Sequence, residues 1–152
     1  VIFITKKSVV IEMEEKGQAS VEYLLLIVVI LIILASVTIP LVISSVNSTM
    51  DISRASDAKN AIQNIANAVD LVYANGPGAK RTVNVYIPLN LVLQGNNTQN
   101  IGMNVPLSGN ETKYVNSDLN YNVTFDNANF NQGWSTVTVN WVVGNKAITI
   151  SH

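Results

Sequence analysis

Glu22 is the residue whose position most needs a chemical account. It stands at the head of an apolar run, Leu24–Ile43, and no residue from Tyr23 to Met50 is charged. A carboxylate drawn into hydrocarbon costs about 2.5–3.5 kcal/mol on insertion scales and usually has a partner. Held at the headgroup level it would instead sit near a helix N-terminus, whose dipole favours negative charge. Other reactive groups are few. There is no Cys, hence no disulfide framework and no thiolate metal site. His152 is the one histidine. No carboxylates are paired, no nucleophile is set beside a base, and no Gly-rich phosphate loop follows a strand. The chain therefore reads as a non-enzyme with no metal or cofactor site. Nine basic and ten acidic residues give a net charge of −1, so nothing points to nucleic acid.

A second kind of chemistry is modification from outside. Asn-x-Ser/Thr occurs at Asn47, Asn96, Asn110 and Asn122, no enrichment for a chain so rich in these residues. A sequon in an extracellular loop is nonetheless a usable glycan acceptor. Asn96 and Asn110 fall in predicted turns and Asn122 in a predicted strand, which makes these three the candidate N-glycosylation sites. Asn47 lies next to the apolar run and is the poorest.

The elements that must position these residues follow from hydropathy. A helix needs about twenty apolar residues to cross a bilayer, and the run ending at Ile43 has them. A secretory signal has an apolar core of only about 7–15 residues followed by small residues, whereas here the small residue, Gly17, precedes the run. Lys6, Lys7 and Lys16 lie before the run and Arg54 and Lys59 after it, which places the N-terminal side in the cytoplasm. Pro40 is a proline that a membrane helix tolerates. Beyond Ser44, Ala55, Ala58, Ile62, Ile65, Val69 and Val72 recur at spacings of three and four, opposite Arg54, Asp57, Asn60, Asn64 and Asn67. This is one stripe of an amphipathic helix, expected to pack on a sheet and to stop at Asn75-Gly76-Pro77-Gly78. From Lys80 the texture is β. Thr82–Ile87 alternates and meets Pro88, which marks an edge or an interruption. Strands follow around Leu89–Leu93, Ile101–Val105 and Leu119–Phe125. Asp126–Gly133 reads as an Asn-rich loop. Val137, Val139, Trp141 and Val143 share a face, and Gly144-Asn145 reads as a two-residue hairpin turn before a last strand, Lys146–Ser151. The expected architecture is α+β: a long N-terminal helix, membrane-spanning in its first half, packed on a C-terminal antiparallel sheet or sandwich.

The residues around Glu22 carry a resemblance. Lys16-Gly17-Gln18-x-Ser20-x-Glu22-x-x-x-Leu26, directly against the apolar run, resembles the class III signal peptide of archaeal type IV pilin-like proteins. The motif covers about ten residues with every fixed position filled. Archaeal flagellins have a similar leader without the Gln-Ser-Glu pattern. The segment Val72–Gly78 leading into Val83–Pro88 is similar, more loosely, to the helix-to-sheet junction of the same family. The resemblance implies that a prepilin peptidase cuts between Gly17 and Gln18, recognising Lys16, Gln18, Ser20, Glu22 and Leu26, and that Glu22 becomes the fifth residue of the mature chain. Gln18 and Glu22 would then set the assembly register. It divides the chain into a leader at 1–17 (with Met13 a plausible true start), a hydrophobic core helix at 18–43, an amphipathic continuation at 44–75 and a β head at 80–152. The precursor would be membrane-inserted. The mature chain would be a homo-oligomer in a cell-surface filament, built with the pilus assembly machinery and used for adhesion. Two other readings use the same features: a single-pass anchored extracellular binding module, and a minor pilin-like component of a secretion or assembly machine.

Overall fold

Between Gly17 and Gly76 the chain has no glycine and one proline, Pro40, so nothing but Pro40 interrupts a helix. The computed structural model describes the backbone from residue 2 and the side chains of residues 20–152. It has one long helix, α1 (Ile2–Asn75), with Pro40 inside it. Ile27–Ile33 is rich in β-branched residues, which in water are mediocre helix formers. In hydrocarbon the backbone must satisfy its own polar groups, and a helix does so within one segment. The helix ends as expected. Gly76 takes φ +85° and its N–H donates to the Val72 carbonyl at 3.1 Å, a left-handed stop for which glycine carries no Cβ penalty.

The chain forms two compact units, Val1–Val46 and Asn47–His152. The described residues of the first are helix alone. In the second, the remainder of α1 packs on seven strands: β1 (Lys80–Ile87), β2 (Leu91–Gln94), β3 (Thr98–Pro106), β4 (Thr112–Phe125), β5 (Asn129–Phe130), β6 (Gly133–Asn140) and β7 (Ile148–Ser151). All six stripe residues, from Ala55 to Val72, are buried, and Ala61, Ala66 and Ala68 join them. These alanines let the helix approach the sheet closely, while each fully buried Ile, such as Ile62 or Ile65, contributes about 1.5–3 kcal/mol. The sheet supplies Val85, Ile87, Ile101, Met103, Val137 and Val139 among others to the same core. The architecture is α+β, helix on sheet.

The sheet is neither antiparallel throughout nor a sandwich. Its order is β1-β6-β7-β4-β3-β2-β5, a single mixed sheet. Strands β4 and β6 run in opposite directions with one strand's width between them. Whatever fills that slot must be parallel to one of them: β7 pairs antiparallel with β6 and parallel with β4, Val123 opposite Ile148. Strand β4 pairs with β3 up to Asp118 and, after a register shift, again at Val123 opposite Thr98, and from Val123 it also pairs with β7. The sheet curls strongly. Strand β5, at one edge, is joined to β6, near the other, by Asn131 and Gln132 alone, and three Cα steps reach at most about 11 Å. The two edges therefore approach each other around the helix. The Gln132 N–H donates to the Asn90 side-chain oxygen at 2.8 Å, tying the two edge connections together.

Three further expectations are corrected. The Asn-rich stretch after Asp126 contains β5, whose Phe130 is buried in the core and stacks on His152 with ring centroids 3.9 Å apart. Gly144-Asn145 is not a two-residue hairpin. Strand β6 stops at Asn140 and β7 starts at Ile148, and the link folds on itself, with Asn145 N–H donating to Val142 O and Trp141 Nε1–H to Asn145 O. Val143 sits in that link, so the strand period no longer applies and it is exposed, whereas Val137, Val139 and Trp141 are buried. Strand β1 is an edge strand ending just before Pro88, as Pro88 required.

Candidate functional site

The candidate site is the N-terminal part of α1. Its side chains are described from Ser20 onward, so Lys16, Gly17 and Gln18, the leader and the proposed cleavage point lie outside the described residues. Ser20, Glu22 and Leu26 fall on the helix and all are exposed. Glu22 is followed by an apolar surface that runs all round the helix. Every large apolar side chain from Leu24 to Ile43 is exposed, from 41% for Ile27 to 70% for Leu41. Leu26, Ile30 and Ile33 are among them. Ser36 Oγ donates back to the Ile33 carbonyl at 2.7 Å, hiding one of the run's few polar groups. The helix is long and apolar enough to cross a membrane. An α-helix apolar on all sides is stable only when something apolar surrounds it.

The second unit is fastened at its own end of α1 by polar contacts. Asp51 accepts from Ser108 N–H at 3.0 Å and from Ser108 Oγ at 3.1 Å, with Arg54 at 4.0 Å. Lys59 donates to the Asn116 carbonyl, and Asn120 Nδ2 donates to Asp70 at 3.1 Å. Tyr73, Tyr121 and Trp141 stack beside them at 4.7–6.0 Å. Spacing along the chain gave no sign of these long-range pairs. Among the described residues no cluster of His, Asp and Glu is gathered for a metal ion.

The sequons differ in how freely they are held. Asn110 is exposed and left-handed at φ +62°, a conformation Asn tolerates. Asn96 is exposed, with its side-chain oxygen accepting from Phe125 N–H at 3.1 Å. Asn122 is half-buried within β4, and its sequon hydroxyl, Thr124 Oγ1, lies 3.5 Å from Thr149 Oγ1.

No protein-family model, curated protein or solved structure matches this chain.

Proposed function

We propose that this chain is a structural subunit of an archaeal type IV pilus-like surface filament, processed between Gly17 and Gln18 and assembled through α1. The observation that carries the reading is the pairing of the class III-like motif with a helix apolar on every face, joined to an α+β head. A plain anchor needs neither a cleavage motif nor a carboxylate at its start. Cleavage would create a positive α-amino group at Gln18. When the helices leave lipid and bundle, Glu22 would be desolvated, and the amino terminus of a neighbouring subunit would neutralise it. An unpaired buried charge is strongly destabilising, by about 3–5 kcal/mol, so misregistered subunits would be rejected. Head-to-tail packing that does not close grows a filament, and the heads would coat it as the adhesive surface.

The test is the N-terminal sequence of the protein from sheared surface filaments and from membranes. A mature chain beginning at Gln18 in the sheared fraction supports the filament. An unprocessed chain confined to membranes refutes it and leaves an anchored binding module. A mature chain that never accumulates in filaments points to a minor component. Glu22→Gln chains that N-terminal sequencing shows to begin at Gln18 are expected to assemble poorly, and normal filament yield from them would sink the charge-pairing mechanism.

A further inference from the structure

Trp134 is 76% exposed, the highest value among the large apolar residues of the second unit. Strand register places it directly opposite Tyr86, and the two rings meet edge-on at 5.6 Å. An aromatic pair held in place yet left in water needs a reason. Beside it lies an open groove of ≈ 200 Å³ between α1 and edge strand β1, lined by Asp57, Asn60 and Asn64 on the helix and by Asn84, Tyr86 and Trp134 on the strands. The groove continues in both directions. Asp57 and Tyr86 also line the hollow towards Arg54 and Pro88, and Asn64 and Asn84 the one towards Asn67 and Arg81. From Asp57 to Asn67 this makes a trough of about 15 Å along the helix at 1.5 Å per residue.

Its chemistry is specific. The helix wall is a ladder of amides. Asn60 and Asn64 are exposed and make no side-chain hydrogen bond among the described residues. Asn84 is oriented: its side-chain oxygen accepts from Thr136 Oγ1 at 2.9 Å, leaving its NH₂ to donate elsewhere. An amide side chain offers a donor and an acceptor together, as does each hydroxyl of a sugar. The flat aromatic faces match the apolar C–H face of a pyranose ring. The charges along the trough, Arg54, Arg81 and Asp57, are of mixed sign and set up no field for an anion or a cation.

We propose that this trough is a binding site for a neutral oligosaccharide, with a sugar ring stacked on Trp134 and its hydroxyls bonded to Asn60, Asn64 and Asn84. A filament head and a tethered head would carry the same site. An extended peptide adding to the open edge of β1 would be held by backbone hydrogen bonds and would not need Trp134.

The experiment uses the full chain in lipid nanodiscs, free of sugar-based detergent, titrated with cellohexaose, β-1,4-mannohexaose and chitohexaose. Tryptophan emission and calorimetry are the readouts. At least one hexasaccharide is expected to saturate and shift the Trp134 emission. Trp134→Ala is expected to weaken it by at least about tenfold, and Asn64→Ala by less. Trp134 is exposed, so its removal leaves the fold standing, which near-ultraviolet dichroism of Trp141 verifies. Competition by glycans released from the producing cell's own envelope would identify a self-ligand, and lack of competition an external polysaccharide; both keep the sugar chemistry. The proposal is overturned if none of the three shifts the emission in the millimolar range, if Trp134→Ala binds as well as wild type, or if Trp134 is shielded from iodide in sugar-free assembled filaments, which would make it a subunit contact.

Discussion

Along the single helix α1, two apolar stretches, the first the denser, have opposite fates. From Leu24 to Ile43 every large apolar side chain is exposed, whereas from Ala55 to Val72 the apolar stripe is buried, with Ile62, Ile65 and Val69 at 0%. The difference lies in arrangement. In the second stretch apolar residues recur every three or four positions, which leaves polar flanks for water and one face that a single sheet can cover. In the first they occupy every face, and no one sheet could cover them. Only lipid, or several like helices, can. The second stretch is thus completed by its own chain, and the first by something outside it.

The strongest way to break this contrast is to make the same substitution in both stretches. Ile62→Ala is expected to destabilise the head by about 2–5 kcal/mol, the usual cost of cutting a buried Ile to Ala, seen as a lower urea midpoint in tryptophan fluorescence. Ile30→Ala is expected to leave that midpoint unchanged. Equal shifts would mean that the N-terminal stretch is also covered by its own chain.

The converse substitution works through the bilayer. Ile33→Arg places a charge in the middle of the apolar run and is expected to cost about 2.5–3.5 kcal/mol of insertion free energy. The remaining apolar residues still outweigh that cost, so membrane-extraction assays should show weakened retention, not loss of insertion, while head stability stays as in wild type. A fall in head stability would instead show that the run is covered by its own chain.

What could be read beforehand divides along the same line. The apolar run, the stripe, the stop at Gly76 and the edge character of β1 were all legible, because each rests on residues within a few positions of one another. The parallel placement of β7 was not, since it depends on β4 and β6 leaving a slot between them, a fact of topology and not of local pattern. Two-residue β5 was hidden because Phe130 is one apolar residue amid Asn127, Asn129 and Asn131, and only its insertion into the core reveals its role. Gly144-Asn145 misled because a turn signal says that the chain reverses, not how many residues the reversal uses. The Trp134 trough was invisible for the same reason as the Asp51–Ser108 contact: its two walls are far apart in sequence.

A smaller effect tests where the self-completed stretch ends. Gly76 holds φ +85° with open space around the position its Cβ would take. Gly76→Ala therefore introduces backbone strain without a clash, about 1–2 kcal/mol, and should lower the midpoint of head unfolding by correspondingly less than Ile62→Ala does. An unchanged midpoint would mean that the helix can unwind there at no cost.

The smallest effect lies where the head's share of the helix begins. Asp51 holds Ser108 through two hydrogen bonds at the part-exposed margin of the head. Asp51→Ala removes both, and a net contribution of about 0.5–1.5 kcal/mol per bond in the interior shrinks where water can replace the partner. A loss of about 1 kcal/mol of head stability is expected, with filament yield unchanged. Glu22→Gln is its mirror image, a carboxylate removed from the other stretch, expected to leave head stability alone and to reduce filament yield. Measured side by side, the two carboxylates should separate fully. If Asp51→Ala abolished assembly, or Glu22→Gln destabilised the head, the two stretches would not be independent, and the division of α1 into a part completed within the chain and a part left for lipid or other helices would have to be given up.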